Sequence, residues 1–251
     1  YHPDKNPTIT VLELPFLGVD TLEEEVAVAH AVFDHPATEA DLARWNAKLL
    51  MTSPMPQYNV AGVGAAPMDL AAFEGMRIRA TGGLGEAFET VGATPTSMTA
   101  TEVYGALESG VIDAAAFAQH AHLSFRTIDL AEWWTTNLNP GTVNCPVVVN
   151  IDAYESLSPE FREALDSSVG PAIDHYLENY GALLDRWQTV LEEKGVEPIT
   201  YSEEQIAAFR EKAAVPIRKA WIEEMEAQGL PGQALYDLTQ EVLAEHRGEG
   251  S

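Results

Sequence analysis

Cysteine is nearly absent: Cys145 stands alone, which excludes an intrachain disulfide and any Cys-rich zinc site. Basic residues are scarce, with 14 Lys plus Arg against 39 Asp plus Glu and a formal net charge of −25. A surface so acidic repels phosphate backbones and anionic lipid, which counts against nucleic-acid and membrane-surface partners. No apolar run approaches the ~18 residues of a membrane span, and no cationic-then-apolar leader opens the chain. The first residues are Tyr1-His2-Pro3-Asp4, without Met, so removal of an upstream segment such as an export signal peptide is expected. No GxSxG, HExxH or CxxC occurs, and nothing points to a catalytic centre, a cofactor or a metal. What is present is a chain of 251 residues with 46% hydrophobic content. That is too apolar for a disordered acidic tail and long enough for one large domain or two modest ones.

The patterning predicts α/β architecture. Residues 9–17 read as an extended segment ending at Pro15. Thr21 caps a helix with Glu23, Glu24 and Glu25 in its first turn, and a short helix follows over Ala37 to Trp45. Ala47 to Met51 reads as a strand. Residues 52–68, rich in Pro, Gly and Ala, read as a crossing between lobes outside either core. Met76 to Ala80 is predicted as a strand, followed by a helix after Gly82, Gly83 and Gly85. Thr99 and Glu102 have capping-box spacing before another helix that Gly110 stops, and Val111 to Ala116 reads as a strand. This rhythm implies βαβ units and a parallel sheet with ligands at its strand ends. Cys145 to Asn150 is a further strand. Ser158-Pro159 starts a helix whose apolar side runs for about thirty residues, with Gly170-Pro171 and Gly181 as points of kinking or division. Later helices begin at Ser202 and near Pro231.

Among candidate site residues Arg79 stands first, because it ends a strand before a glycine-rich turn. A guanidinium there can grip a carboxylate through two parallel hydrogen bonds, or serve as a structural ion pair in so acidic a chain. Gly82-Gly83-Leu84-Gly85-Glu86 reads as a plain turn more readily than a phosphate cradle, since no Lys-Ser/Thr follows. His120 and His122 would share a face on a strand, but two histidines underdetermine a metal, and a loop or surface position is the simpler reading. Trp133 and Trp134 face opposite ways if they lie on a strand, which allows one in the core and the other in a cleft near Asn144. Phe117 and Tyr104 are aromatic cleft candidates, each equally suited to core packing. Glu102 and Asp113 offer a carboxylate pair without a nucleophile beside it.

Several motifs together carry a family resemblance. They are Leu12-Glu13-Leu14-Pro15-Phe16-Leu17, Glu74-Gly75-Met76-Arg77-Ile78-Arg79, and Val91-Gly92-Ala93-Thr94-Pro95. The run from Thr101-Glu102-Val103-Tyr104 to Val111-Ile112-Asp113 follows, then Val147-Val148-Val149-Asn150 and Leu157-Ser158-Pro159-Glu160. In this order they resemble the solute-binding proteins of tripartite ATP-independent periplasmic (TRAP) transporters, of the dicarboxylate-binding DctP type. The resemblance implies a two-lobed α/β periplasmic-binding-protein-like fold with an interlobe cleft and a long bridging helix. It assigns residues 1–54 plus 149–251 to lobe I and 55–148 to lobe II. It further implies capture of a small organic acid in the periplasm and its delivery to a sodium-driven membrane permease, with Arg79 at the position that pairs with the ligand carboxylate.

The chain departs from the family pattern in three places. Phe117 occupies a position where an Asn often stands. The crossing reads Pro56-Gln57-Tyr58-Asn59-Val60 where a second arginine sometimes falls. Both changes argue against a sialic-acid-like or strongly polar dicarboxylate ligand, since unpaired polar groups are costly; they favour a monocarboxylate with an apolar or aromatic body, packed by Phe117 and a tryptophan. The family also normally begins with a strand–helix–strand unit of about 70 residues that lacks a counterpart here, and without it sheet edges of lobe I would stand unpaired. The alternative function is a small α/β enzyme with Arg79 as substrate anchor and Asp113 or Glu102 as base; a purely structural protein would leave Arg79 exposed.

Overall fold

The computed structural model describes residues 3–249. A 3-10 segment, Pro7–Glu13, opens the order and is followed by α1 (Leu22–Phe33), α2 (Pro36–Ala43), β1 (Ala47–Ser53) and β2 (Asn59–Gly62). Next come β3 (Arg77–Arg79), α3 (Gly82–Glu89), β4 (Thr94–Thr96), α4 (Val103–Glu108), β5 (Ala114–Phe117), α5 (Gln119–Ser124) and β6 (Trp133–Thr135). The chain closes with β7 (Cys145–Asn150), α6 (Ile151–Ser156), α7 (Pro159–Lys194), β8 (Glu197–Ile199), α8 (Glu203–Ala227) and α9 (Gly232–His246).

Two sheets organise these elements. β1 and β7 form an antiparallel pair. The other six strands form one sheet in the order β4-β3-β5-β2-β6-β8. This sheet is mixed rather than wholly parallel: β3 runs parallel to β4 and β5, and β6 to β8, while β2 is antiparallel to both its neighbours. β2 corrects the reading of residues 52–68 as a bare crossing, because all four of its residues are buried at the centre of the sheet. Its small residues are a packing requirement, since a Cβ at Gly62 would overlap the Trp133 indole. β8 comes from the segment after residue 149 and forms an edge of this larger sheet.

Residues 7–13 are a 3-10 turn, not extended. Pro7 sits in its first turn, and Thr8, Val11 and Leu12 are buried, a spacing of three and four that a strand would split between two faces. Thr8 is tied to buried Asp41 through its hydroxyl at 2.7 Å. The fifth strand starts at Ala114, since Val111 is exposed and Gly110 adopts φ +68°; Phe117 therefore ends that strand instead of following it. The Thr21–Glu24 and Thr99–Glu102 capping boxes both form. α7 continues through Pro171 as one helix of 36 residues, about 54 Å long. An aromatic series joins the packed layers, with ring centroids 5.2 Å apart for Phe16–Phe209, 5.8 Å for Phe88–Phe209 and 5.6 Å for Phe73–Phe88.

Two neighbouring acids of α1 have opposite fates. Glu24 is gripped by Arg247, Nε to Oε1 at 2.6 Å and Nη2 to Oε2 at 2.9 Å, and these hydrogen bonds hold its carboxyl down at about 2. Glu25 is 2% exposed with Oε1 lacking a partner, and burial pushes its pKa up to about 8. Between an ordinary 4.5 and that value, the folded chain keeps a proton that the unfolded chain has released. The contribution of Glu25 is therefore fully present at and below pH 4.5 and declines as pH rises towards 8, by about 1.4 kcal/mol per unit. Glu25→Gln should remove this slope: urea unfolding at pH 5.5 and 7.5 should show wild type losing about 3 kcal/mol more than the variant. Equal losses would refute the buried-acid assignment.

Candidate functional site

A cavity of about 610 Å³ opens where β3 and β5 end. These strands are parallel neighbours with Arg79 paired to Ala115, so β5 runs two residues beyond the end of β3 and closes on Phe117. The Arg79 guanidinium lies 4.2 Å from the Phe117 ring centroid. Its Nη1 donates to the Ala116 carbonyl at 3.1 Å, and its Nε to the Met98 carbonyl at 3.4 Å. With only 3% of the residue exposed, carbonyl dipoles and a ring face replace the cation's hydration.

Four of the eight residues singled out from sequence line this cavity together: Arg79, Phe117, Tyr58 and Asn144. Tyr58 leads into β2, and its backbone N–H donates to the Gly141 carbonyl at 2.8 Å. Asn144 precedes β7, is 8% exposed, and has neither Nδ2 nor Oδ1 hydrogen-bonded. An unpaired buried amide costs about 1–3 kcal/mol per group, a cost that a bound partner with both donor and acceptor character would remove.

The other four lie elsewhere. Trp133 and Trp134 do face opposite ways, but both are buried, at 1% and 2% exposure, and neither reaches the cavity. Trp133 packs on Gly62, while Trp134 meets Trp187 edge-on at 5.1 Å between centroids. Tyr104 is half-buried on α4, outside the cavity wall. Glu102 is exposed and spends its carboxylate on the Thr99 N–H, at 3.0 Å, and the Thr99 hydroxyl. Asp113, the other proposed base, holds Arg77 through a paired contact, with Nε to Oδ2 at 2.9 Å, also away from the cavity. These hydrogen bonds keep both carboxyls below their ordinary values.

The structure adds residues that the sequence reading undervalued. His120 and His122 lie on helix α5, where a two-residue step separates their directions. His122 is sealed among aromatic rings, and burial, with Arg79 and His120 nearby, holds its pKa down to about 3. His120 lines the cavity, which corrects the surface reading of the pair. Glu13, inside the Leu-Glu-Leu-Pro-Phe motif, also lines it, and burial raises its carboxyl above the usual range. The glycines that might have cradled phosphate instead accommodate this residue: a Cβ at Gly82 would strike the Glu13 carboxylate, and one at Gly83 its carbonyl oxygen. Met55, Ile9, Val143 and Phe125 complete an apolar lining, with Phe125 stacked 6.1 Å from Phe117. Among the described residues no cluster of His, Cys, Asp and Glu is arranged to hold a metal ion.

The mixed sheet, the antiparallel pair and the long helix are those of a two-lobed solute-binding fold. The chain belongs to the DctP family, bacterial extracellular solute-binding protein family 7, whose profile matches residues 1–224. It is similar to the ectoine-binding periplasmic protein TeaA of Halomonas elongata, 29% identical over 169 residues, covering 61% of this chain and 44% of TeaA. The structure of TeaA superposes with a TM-score of 0.85 at 22% identity, covering 98% of this chain and 80% of the other. The 2,3-diketo-L-gulonate-binding periplasmic protein YiaO of Escherichia coli is 28% identical over 200 residues, covering 78% of this chain and 59% of YiaO. A marine-metagenome TRAP solute-binding protein specific for aromatic acid ligands superposes with a TM-score of 0.83 at 24% identity, covering 97% and 76% of the two chains. The matches to the curated relatives thus span about half of those proteins' own length.

The close approach of residue 13 to α3 gives a direct test. Gly83→Ala sets a methyl against a backbone oxygen that cannot rotate away, and should destabilise by about 1–3 kcal/mol, several degrees in thermal midpoint. Gly105→Ala, with open space around the added carbon, should leave the midpoint unchanged or raise it. Thermal unfolding of both variants decides it; equal midpoints would refute the required contact.

Proposed function

We propose that this protein captures a small organic acid in the cavity beside Arg79 and delivers it, in the periplasm, to the membrane permease of a TRAP transporter. Residues 1–54 with 149–251 act as one lobe and 55–148 as the other, with β8 returning to the larger sheet. The ligand of this reading is a monocarboxylate with an apolar or aromatic body. The observation that carries it is the Arg79 guanidinium, 3% exposed and stacked on Phe117 in the wall of a 610 Å³ cavity.

A carboxylate placed there gains a charge-assisted contact in surroundings where water competes little. Phe117 and Phe125 offer ring faces to the body of the ligand, and Asn144 offers an amide with donor and acceptor both unused. The family match favours capture over catalysis, as do the engagements of Glu102 and Asp113 outside the cavity. The neighbour described as specific for aromatic acids adds support for an aromatic body.

Titration calorimetry with a panel of aromatic and aliphatic monocarboxylates tests this reading. A ligand at a hundred times its Kd should add about 2.7 kcal/mol to stability. Arg79→Ala should weaken binding by at least about 100-fold, and Arg79→Lys, which keeps the charge without the fork, should fall between. The amide analogue of a bound acid should fail to bind. An amide that binds as tightly as its acid, or affinity retained in Arg79→Ala, would refute the anchor.

A further inference from the structure

His120 is a polar group of the cavity wall whose hydrogen-bonding partner fixes what it can offer a ligand. It faces Tyr180 of α7, whose hydroxyl lies 2.5 Å from His120 Nδ1 and 3.5 Å from the His120 backbone N–H. The rings meet edge to face, with centroids 5.2 Å apart. Burial raises the Tyr180 pKa, so the phenol keeps its proton, and a buried O–H needs an acceptor. A backbone N–H can only donate. Among the partners of Tyr180, the acceptor is therefore Nδ1, which must be the unprotonated ring nitrogen. Burial also lowers the His120 pKa, keeping the ring neutral. A neutral imidazole with Nδ1 unprotonated carries its hydrogen on Nε2. That nitrogen is on the side of the ring away from Nδ1. It is not among the sealed, partnerless atoms, and the residue lines the cavity.

We propose that His120 Nε2–H is a specificity-determining donor, set in that tautomer by Tyr180, which selects acids carrying a second, uncharged oxygen such as a ring hydroxyl or a carbonyl. The assignment rests on the carboxylate reading and narrows it. Arg79 takes the carboxylate, the phenyl rings take the body, and His120 rewards an acceptor oxygen at the far end. A hydroxyl or carbonyl oxygen accepts this hydrogen bond without bringing a second charge into the cavity. Tyr180 is a positioning residue, because its phenol decides which imidazole nitrogen donates.

Paired probes test it: benzoate against 3-hydroxybenzoate, and phenylacetate against 3-hydroxyphenylacetate, measured by calorimetry on the purified protein. At least one oxygenated acid should bind about ten-fold more tightly than its parent, the worth of one hydrogen bond. His120→Phe should collapse that ratio to about one. His120→Gln, which keeps an N–H near the Nε2 position, should restore part of it. Nitrogen-15 spectra of the histidine rings should show His120 as the Nε2–H tautomer in wild type and as a mixture in Tyr180→Phe. A ratio unaltered in His120→Phe, or an Nδ1–H tautomer in wild type, overturns the proposal. If wild type binds both members of each pair equally while Arg79→Ala loses both, His120 falls and the carboxylate reading stands. If wild type binds none of these acids, both fall.

Discussion

Burying a guanidinium at the end of a strand is the constraint on which the cavity depends. Removed from water, Arg79 requires fixed oxygens and a polarisable surface, or the loss of hydration would exceed any gain. The Ala116 and Met98 carbonyls and the Phe117 ring meet that requirement. The Ala116 carbonyl and the Phe117 ring are in place because β5, parallel to β3, runs two residues past the partner of Arg79. That register needs neighbours thin enough to pack closely, and β5 supplies Ala114, Ala115 and Ala116, all buried. β2 lies behind it with Gly62 open to the Trp133 indole. The alanine run and the glycine, which carry no chemistry, are thus part of how the one buried arginine is held.

The long-range field works against this site. A chain of net charge −25 repels an approaching anion, although at physiological ionic strength screening confines that repulsion to about 8 Å from each exposed charge. Affinity for a carboxylate must then come from short-range contact rather than steering. The same logic gives Phe117 two roles. It supports the guanidinium from one side, and it removes the side-chain donor that an amide at that position would offer. The cavity wall combines the buried Arg79 and the side chain of Lys5 with apolar residues and with polar groups that include Asn144, His120 and Glu13.

Local signals were legible in the sequence wherever the chemistry is local. Thr21 with Glu24, and Thr99 with Glu102, form the capping boxes that their spacing requires, and Ser158 caps a helix that runs the length its apolar stripe implies. Arg79 was legible as a candidate because it ends a strand in a recognisable motif, and Phe117 because it stands where the family pattern often has an amide. β2 was hidden by composition: Asn, Val, Ala and Gly read as crossing, and only the tertiary demand of Trp133 explains the glycine. β4 and β8 have three residues each, too few to show a period. The tryptophan pair failed as a cleft signal because alternation tells that two faces differ, not that one of them is wet. His120 was missed because its partner, Tyr180, lies 60 residues away, and no spacing reveals a tautomer.

α7 shows how such distant partners are brought to the cavity. Its buried residues are Ile173, Tyr180, Trp187 and Leu191, at steps of seven, seven and four that keep one helical face towards the sheet body. Along that face Tyr176 reaches Met55 at 3.8 Å, Tyr180 reaches His120, and Lys194 closes on Asp129 at 2.7 Å. Two of these three contacts touch residues of the cavity wall. The first turns of the same helix carry no buried residue, with Phe161 at 66% exposure, and Tyr154 of α6 meets Asp166 there. A helix seated by its C-terminal half holds its N-terminal half through its own hydrogen bonds. The two tyrosines join the cavity wall to this helix, and the phenol that sets the His120 tautomer belongs to the longest element of the fold.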